Sequence, residues 1–164
     1  MSKVALLIGV SEYKSQKSES DSLKPLPAAV RDVEALSEVL LHPEMGGFSE
    51  SDIRILKNPD RQTMETGIEL LFSNRHRDDL VLLYFSGHGV KDDASRLYLA
   101  TPTTLSDRFG LMRSTAVSTR FIHDRMNECR LKRLVVILDC CFSGAFAQGF
   151  SAKGDTGINI KDQL

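Results

Sequence analysis

Two short segments of the sequence carry residue types that could do chemistry together. His88 stands between two glycines, and Cys140 and Cys141 form an adjacent pair. An imidazole titrates near neutral pH, so it can accept a proton and return it. A thiolate is a strong nucleophile, and a neighbouring histidine can help to form it. If the fold brings His88 to one of these cysteines, the sequence predicts nucleophilic catalysis by a thiol.

Either segment alone would have an ordinary structural explanation. Histidines in turns usually have no catalytic role, and free cysteines often act as small buried apolar side chains. Cys129, for example, falls in a helical segment and is predicted to lie in the core. The catalytic interpretation therefore depends on the elements that position the two segments.

The hydrophobic pattern predicts alternating strands and helices. Continuous or alternating apolar runs indicate strands at residues 4–10, 52–56, 80–85 and 134–138, and a shorter strand at residues 96–100. Apolar residues at helical spacing indicate helices at residues 28–41, 63–74 and 118–129. This order favours an α/β fold, with a mostly parallel sheet and helices on both faces. Active sites of such sheets lie beyond the carboxyl ends of the strands, which is where His88 and the cysteine pair are expected.

Composition limits the class of protein. The chain has 164 residues, a formal net charge of −1 and three cysteines. This length suits one domain with a core, and the near-neutral charge argues against nucleic-acid or membrane binding. Three cysteines are too few for a disulfide scaffold, so a reducing, cytoplasmic location is predicted. Zinc spacing, a phosphate-binding glycine loop and a dinucleotide fingerprint are absent from the sequence.

The two segments also carry a family resemblance. They read YFSGHG at 84–89 and DCCFSG at 139–144, and they agree with LLIGV at 6–10, Tyr13, and AVRD at 29–32. With these motifs in this order, the chain resembles the caspase-like cysteine proteases, specifically the metacaspases and their short bacterial relatives, the orthocaspases. Caspases place the catalytic histidine about 50 residues before the cysteine, a spacing similar to that found here.

The resemblance implies a catalytic role for each matching residue. His88 would assist the thiol of Cys141, the position that corresponds to the family's nucleophile. The backbone N–H groups of Gly89 and Cys141 would form the oxyanion hole. Cys140 replaces the serine that usually precedes the nucleophile, so it stays open as the alternative thiol.

The resemblance also implies a preference for basic residues before the scissile bond. Asp32 and Asp139 match the acidic positions of the metacaspase specificity pocket, and two carboxylates in a narrow pocket favour a guanidinium group. Arginine would be preferred and lysine accepted. Arg31 replaces the asparagine common in the family. If Arg31 pointed into the pocket, an acidic substrate residue would be selected instead.

The implied fold is the caspase-like three-layer fold, in which two further strands follow the catalytic cysteine. We expect residues 1–150 to form the large catalytic portion and residues 151–164 to form a linker tail, with those C-terminal strands missing. Processing of the precursor after Lys153 or Lys161 would suit a basic-specific protease.

The expected partners are a protein or peptide substrate, a small subunit or C-terminal continuation of the precursor, and a regulatory protein. The expected pathway is a regulated stress, cell-death or defence response. No cofactor is expected; some metacaspases need calcium, but Asp92 and Asp93 alone are far from a full oxygen cage. The alternatives are a catalytically silent caspase-like scaffold and, less favoured, a receiver-type binding domain.

Overall fold

The computed structural model describes residues 1–14, 23–107 and 109–141 of the chain. The strands in this part are β1 (Lys3–Gly9), β2 (Ile53–Lys57), β3 (Leu80–Ser86), β4 (Gly89–Lys91), β5 (Leu97–Ala100), β6 (Ser106–Asp107), β7 (Gly110–Leu111), β8 (Ala116–Ser118) and β9 (Arg133–Asp139). The helices are α1 (Pro27–Leu41), α2 (Arg61–Phe72) and α3 (Thr119–Glu128). Short 3₁₀ turns occur at Glu50–Asp52 and Arg113–Thr115.

The central sheet is parallel and has the strand order β2-β1-β3-β9. Its two middle strands are the most apolar runs of the sequence, and nearly all of their side chains are buried. Such runs are typical of strands covered on both faces. The α/β fold class is therefore confirmed.

Helices cover both faces of this sheet and complete three layers. Val33 and Leu40 of α1 pack with Leu82 and Tyr84 on one face. The apolar sides of α2 and α3 pack against the opposite face, around Leu83 and other core residues. None of the helices formed by the described residues has both the length and the apolar character needed to cross a membrane.

The region between β3 and α3 is more regular than its sequence indicates. The sequence shows no clear period over residues 103–117, yet β4, β5 and β8 form an antiparallel sheet, and β6 pairs with β7. The short strand predicted at residues 96–100 corresponds to β5, whereas the other strands here are two or three residues long, too short for hydrophobic periodicity to identify them. Side-chain bonds support them instead: the hydroxyls of Thr101 and Thr104 both donate to the Thr115 carbonyl, at 2.8 and 2.9 Å.

Among the described residues, apolar packing covers strand β9 on one face. Leu134, Val136 and Leu138 pack against the α2 and α3 side of the core. On the other face, Val135 and Ile137 are 42% and 43% exposed. No strand among the described residues pairs with the outer edge of β9. The predicted tail, the boundary at residue 150 and the positions of Lys153 and Lys161 lie outside the described residues.

Candidate active site

The carboxyl ends of β3 and β9 bring the two predicted segments together. Ser86, the last residue of β3, is in register with Asp139, the last residue of β9. Just beyond them, the Gly87 N–H donates to the Asp139 carbonyl at 3.3 Å. The glycine-flanked histidine and the cysteine pair therefore leave neighbouring strands at the same edge of the sheet.

Gly89 makes the closest approach between the two segments. A Cβ atom built on Gly89 would lie 2.2 Å from the carbonyl oxygen of Cys141 and 3.2 Å from the Cys140 sulfur. The first of these atoms belongs to the backbone, so a larger residue would have to displace the chain. The glycine after His88 thus allows the histidine loop to lie directly against the cysteine pair.

The imidazole of His88 is held by a backbone carbonyl that sequence reasoning missed. Its Nε2 lies 2.8 Å from the carbonyl oxygen of Lys24. A carbonyl only accepts, so Nε2 carries the hydrogen of this bond, and Nδ1 is the nitrogen that can accept a proton. The arrangement fixes one tautomer of the ring, as a base needs before it can deprotonate a thiol.

The Lys24 carbonyl is itself positioned by the segment around it. Pro25 and Pro27 restrict the backbone on either side of Leu26, and the Leu26 N–H donates to the Ser11 carbonyl at 2.8 Å. A carbonyl group has no side-chain signature, so only the prolines hinted at a fixed backbone here.

The two adjacent cysteines have opposite surroundings. Cys140 is half-buried and packs against the apolar core, whereas Cys141 is exposed. Burial raises the pKa of the Cys140 thiol to about 12, and the nearby Cys141 and Asp139 add to the rise. Cys140 therefore stays protonated at neutral pH, and Cys141 is the thiol that a substrate can reach.

The carboxylates of Asp32 and Asp139 both act electrostatically on the hydroxyl of Tyr84. Burial raises the pKa of Tyr84, the carboxylates of Asp139 and Asp32 raise it further, and a hydrogen bond with Ser86 lowers it in part. Tyr84 belongs to the sheet face that α1 covers. The two predicted acids, from a helix and a strand far apart in sequence, therefore both act electrostatically on one hydroxyl of that face.

Gly9 lets the first turns of α1 reach this edge. A Cβ on Gly9 would lie 2.8 Å from the Ala29 carbonyl oxygen and 2.9 Å from a methyl group of Val33. The absence of a side chain thus allows α1 to pack closely on the end of β1, with Asp32 in that stretch. Arg31 is exposed. It is two residues from both Ala29 and Val33, which face the sheet, so the helical period places Arg31 on the opposite side of α1.

Asp92, the first acid after the histidine loop, is engaged by groups of its own loop. Asp92 accepts the backbone N–H groups of Ala94 and Arg96 at 3.0 Å each, and it pairs with the Arg96 guanidinium at 2.6 Å. Its Oδ2 also accepts the Tyr98 hydroxyl at 3.3 Å. This carboxylate is already used to hold the β4–β5 connection. The described residues contain no group of three metal-ligating side chains.

Comparisons with known proteins agree with this architecture. A protein-family model described as the caspase domain matches residues 2–163. Metacaspase-1 of Schizosaccharomyces pombe is 26% identical over 159 residues, which cover 85% of this chain and 33% of that protein. The crystal structure of a Geobacter sulfurreducens protein has a similar fold, with a TM-score of 0.65 at 16% identity, over 86% of this chain and 51% of that one. The chain thus spans about a third of the curated relative and half of the solved structure.

Proposed function

Since the chain belongs to the caspase domain family, we propose that it is the catalytic portion of a cysteine endopeptidase with a Cys141–His88 dyad. The observation that carries this proposal is the contact between the His88 loop and the Cys141 segment at one edge of the sheet, where Gly89 abuts the Cys141 carbonyl. The exposed thiol and the oriented imidazole supply the two groups that thiol catalysis needs.

The proposed mechanism is acyl transfer. With Nε2 committed to the Lys24 carbonyl, Nδ1 of His88 takes the proton from the Cys141 thiol. The thiolate attacks the scissile carbonyl, and the imidazolium returns the proton to the leaving amine. Water then hydrolyses the thioester and frees the enzyme.

The oxyanion of each tetrahedral intermediate would be bound by the backbone N–H groups of Gly89 and Cys141. Their contact across the two segments supports this assignment, because it brings both backbones to the same place. Loss of one such donor typically costs about 3 kcal/mol of transition-state stabilisation.

For the substrate, we propose a peptide with arginine, or less favourably lysine, before the scissile bond. The electrostatic effect of both Asp32 and Asp139 on the Tyr84 hydroxyl supports this preference, since two carboxylates in one pocket would pair with a guanidinium. The orientation of Arg31 away from the sheet argues against the acidic alternative.

The second part of the catalytic unit would pack on β9. Its unpaired outer edge and the exposed side chains of Val135 and Ile137 support a partner formed by a small subunit or by a continuation of the precursor. Self-processing after a basic residue would follow from the proposed specificity. The family resemblance, rather than the geometry, supports a regulated stress, cell-death or defence pathway, and three free cysteines suit a cytoplasmic setting.

The test uses the complete protein and fluorogenic peptides that end in arginine, lysine or aspartate. We expect the fluorophore to be released fastest from the arginine peptide, more slowly from the lysine peptide and most slowly from the aspartate peptide. Cys141→Ala should abolish cleavage, while the matched Cys140→Ala variant should retain it. Equal activity of the Cys141→Ala and wild-type proteins would refute the protease assignment. A folded wild-type protein that binds the peptides but cleaves none of them would favour the scaffold alternative. Faster cleavage of the aspartate peptide would favour the acidic specificity through Arg31.

A further inference from the structure

The loop that follows β1 places an aromatic side chain against the histidine. The ring of Tyr13 packs on the imidazole of His88, with 4.8 Å between their centroids and 58° between their planes. The Tyr13 hydroxyl also accepts the backbone N–H of His88 at 2.9 Å. One residue therefore contacts both the backbone and the ring of the proposed base.

The same hydroxyl binds the end of the central strand. It donates to the Val10 carbonyl at 3.0 Å, while Val10 donates its own N–H to the Ser86 carbonyl at 2.9 Å. Burial raises the pKa of Tyr13 to about 12, the bond from His88 opposes this rise, and Cys140 adds to it. The hydroxyl thus keeps its proton and links β1 to the histidine loop throughout the neutral range.

The backbone on both sides of Tyr13 is fixed. Asn58 accepts the N–H groups of Ser11 and Glu12 on its side-chain oxygen, at 2.8 and 3.1 Å. Lys14 donates its N–H to the Pro102 carbonyl at 2.9 Å. These bonds hold the backbone before and after Tyr13, so its side chain is positioned against His88.

We propose that Tyr13 is a positioning residue for His88, which holds the histidine loop and the imidazole in the orientation that deprotonates Cys141. This inference rests on the proposed protease function. Tyr13 on one side of the ring and the Lys24 carbonyl at Nε2 together restrict the imidazole, and they leave Nδ1 for the thiol. A 1 Å displacement of such a group can reduce turnover about 100-fold.

The central experiment compares Tyr13→Phe with Tyr98→Phe in the complete protein. Each change removes one tyrosine hydroxyl, but the Tyr98 hydroxyl binds Asp92 and has no contact with His88. We expect kcat to fall about tenfold in Tyr13→Phe, with KM within about twofold of wild type, because the ring remains but the loop loses its anchor. Tyr98→Phe should retain kcat. Equal kcat in Tyr13→Phe and wild type, or equal loss in both variants, would overturn the proposal.

A second variant disturbs the same contact from the other side. A Cβ on Gly87 would lie 3.0 Å from the Tyr13 hydroxyl and 2.8 Å from the Phe85 ring. Both neighbours are side-chain atoms rather than backbone, so Gly87→Ala should displace Tyr13 from His88 and reduce kcat while KM changes little; a thermal melt checks that the variant folds, because the Phe85 ring is fully buried. Wild-type kcat in Gly87→Ala, with the Tyr13–His88 contact displaced, would count against positioning.

A spectroscopic readout separates this proposal from the protease assignment. In the Cys141→Ala background, ¹⁵N spectra of the imidazole should show a single Nε2–H tautomer, and the His88 amide should exchange slowly with solvent. Adding Tyr13→Phe should accelerate that exchange and mix the tautomers, whereas adding Tyr98→Phe should change neither. Unchanged His88 signals in the Tyr13→Phe protein would refute the positioning role even if no substrate were ever cleaved.

Discussion

The glycine that follows His88 has less room for a side chain than Gly9 or Gly87 at the same end of the sheet. A Cβ on Gly89 would meet a backbone oxygen at 2.2 Å, so Gly89→Ala should separate the histidine loop from Cys141. We expect kcat/KM to fall about 100-fold or more. Gly67→Ala is the control, because its Cβ would meet side-chain methyl groups and no backbone atom: one of Leu56 at 2.8 Å and two of Leu6 at 3.5 and 3.6 Å. Peptide cleavage is measured for both variants after each has been shown to fold. Full activity of Gly89→Ala would mean that the close contact at Gly89 is not needed for cleavage.

A second prediction concerns Asp32 and Asp139, the two acids proposed to select arginine. Asp32→Asn and Asp139→Asn should each lower kcat/KM for an arginine peptide by about 10- to 100-fold, because each removes one charged partner of the guanidinium. Glu38→Gln, an exposed change on the same helix as Asp32, should leave it unchanged. The specificity assignment would fail if the two asparagine variants cleaved the arginine peptide as fast as Glu38→Gln does.

Sequence patterns identified the site residues that act through side chains of unusual type or spacing. His88 and the cysteine pair stood out because they follow apolar strands, and the structure brings them to one edge. Their catalytic roles stay predictions. The Lys24 carbonyl was missed because every residue has a carbonyl. Tyr84 was missed because an aromatic residue inside an apolar strand looks like ordinary core.

At the scale of elements, the long strands and helices were predictable because their apolar residues repeat with a clear period. The turn at residues 75–79 holds a buried acid that its charged sequence does not indicate. Asp79 is only 3% exposed, and its carboxylate accepts the N–H groups of Ser2 at 2.8 Å and His76 at 2.9 Å. It ties the start of β1 to the start of β3. Sequence patterns could not reveal this, because the partners are backbone groups, one of them 77 residues away.

Asp79 also gives a prediction about stability and pH. The bonds from Ser2 and His76 lower the pKa of Asp79 from 3.8 to about 2. A lowered folded pKa means that the stabilisation is complete above the unfolded value and is lost as the pH falls through about 2. Thermal melts of wild type and Asp79→Asn should therefore differ most at neutral pH, with the variant less stable, and should converge between pH 3.8 and about 2.

The exposed neighbour of this residue supplies the control. The Asp78 side chain is 64% exposed and pairs with Lys132 at the surface. Asp78→Asn should change the Tm less than Asp79→Asn does, because exposed ion pairs contribute little. A Tm difference between wild type and Asp79→Asn that stayed constant down to pH 2 would show that the carboxylate charge is not what stabilises this junction.

At the scale of the whole molecule, β9 differs from the other strands of its sheet. One face is packed and the other is exposed, and its outer edge has no partner among the described residues. Exposed edges with apolar side chains are sites where another strand can pair. The β9 edge is thus where the rest of the catalytic unit is proposed to bind.

Amide hydrogen exchange tests this prediction. In the chain of residues 1–164, the β9 amides that point to the outer edge of the sheet should exchange rapidly. In the complete protein the same amides should exchange about tenfold or more slowly. The β2 strand lies at the opposite edge of the sheet and serves as the internal reference, with equal rates in both proteins. Equal β9 rates in the two proteins would mean that the additional chain packs elsewhere.

The opposite surroundings of the two adjacent cysteines have a consequence for labelling stoichiometry. Cys141 is exposed, Cys140 faces the core, and the Cys129 thiol donates to the Met126 carbonyl at 3.1 Å. A small alkylating reagent should therefore modify the folded protein rapidly at one sulfur, and the unfolded protein at all three. Alkylation would thus titrate the proposed active site. The one equivalent of reagent that reacts fast counts the molecules with an accessible Cys141 thiol, and the two equivalents that react slowly measure how many molecules have unfolded.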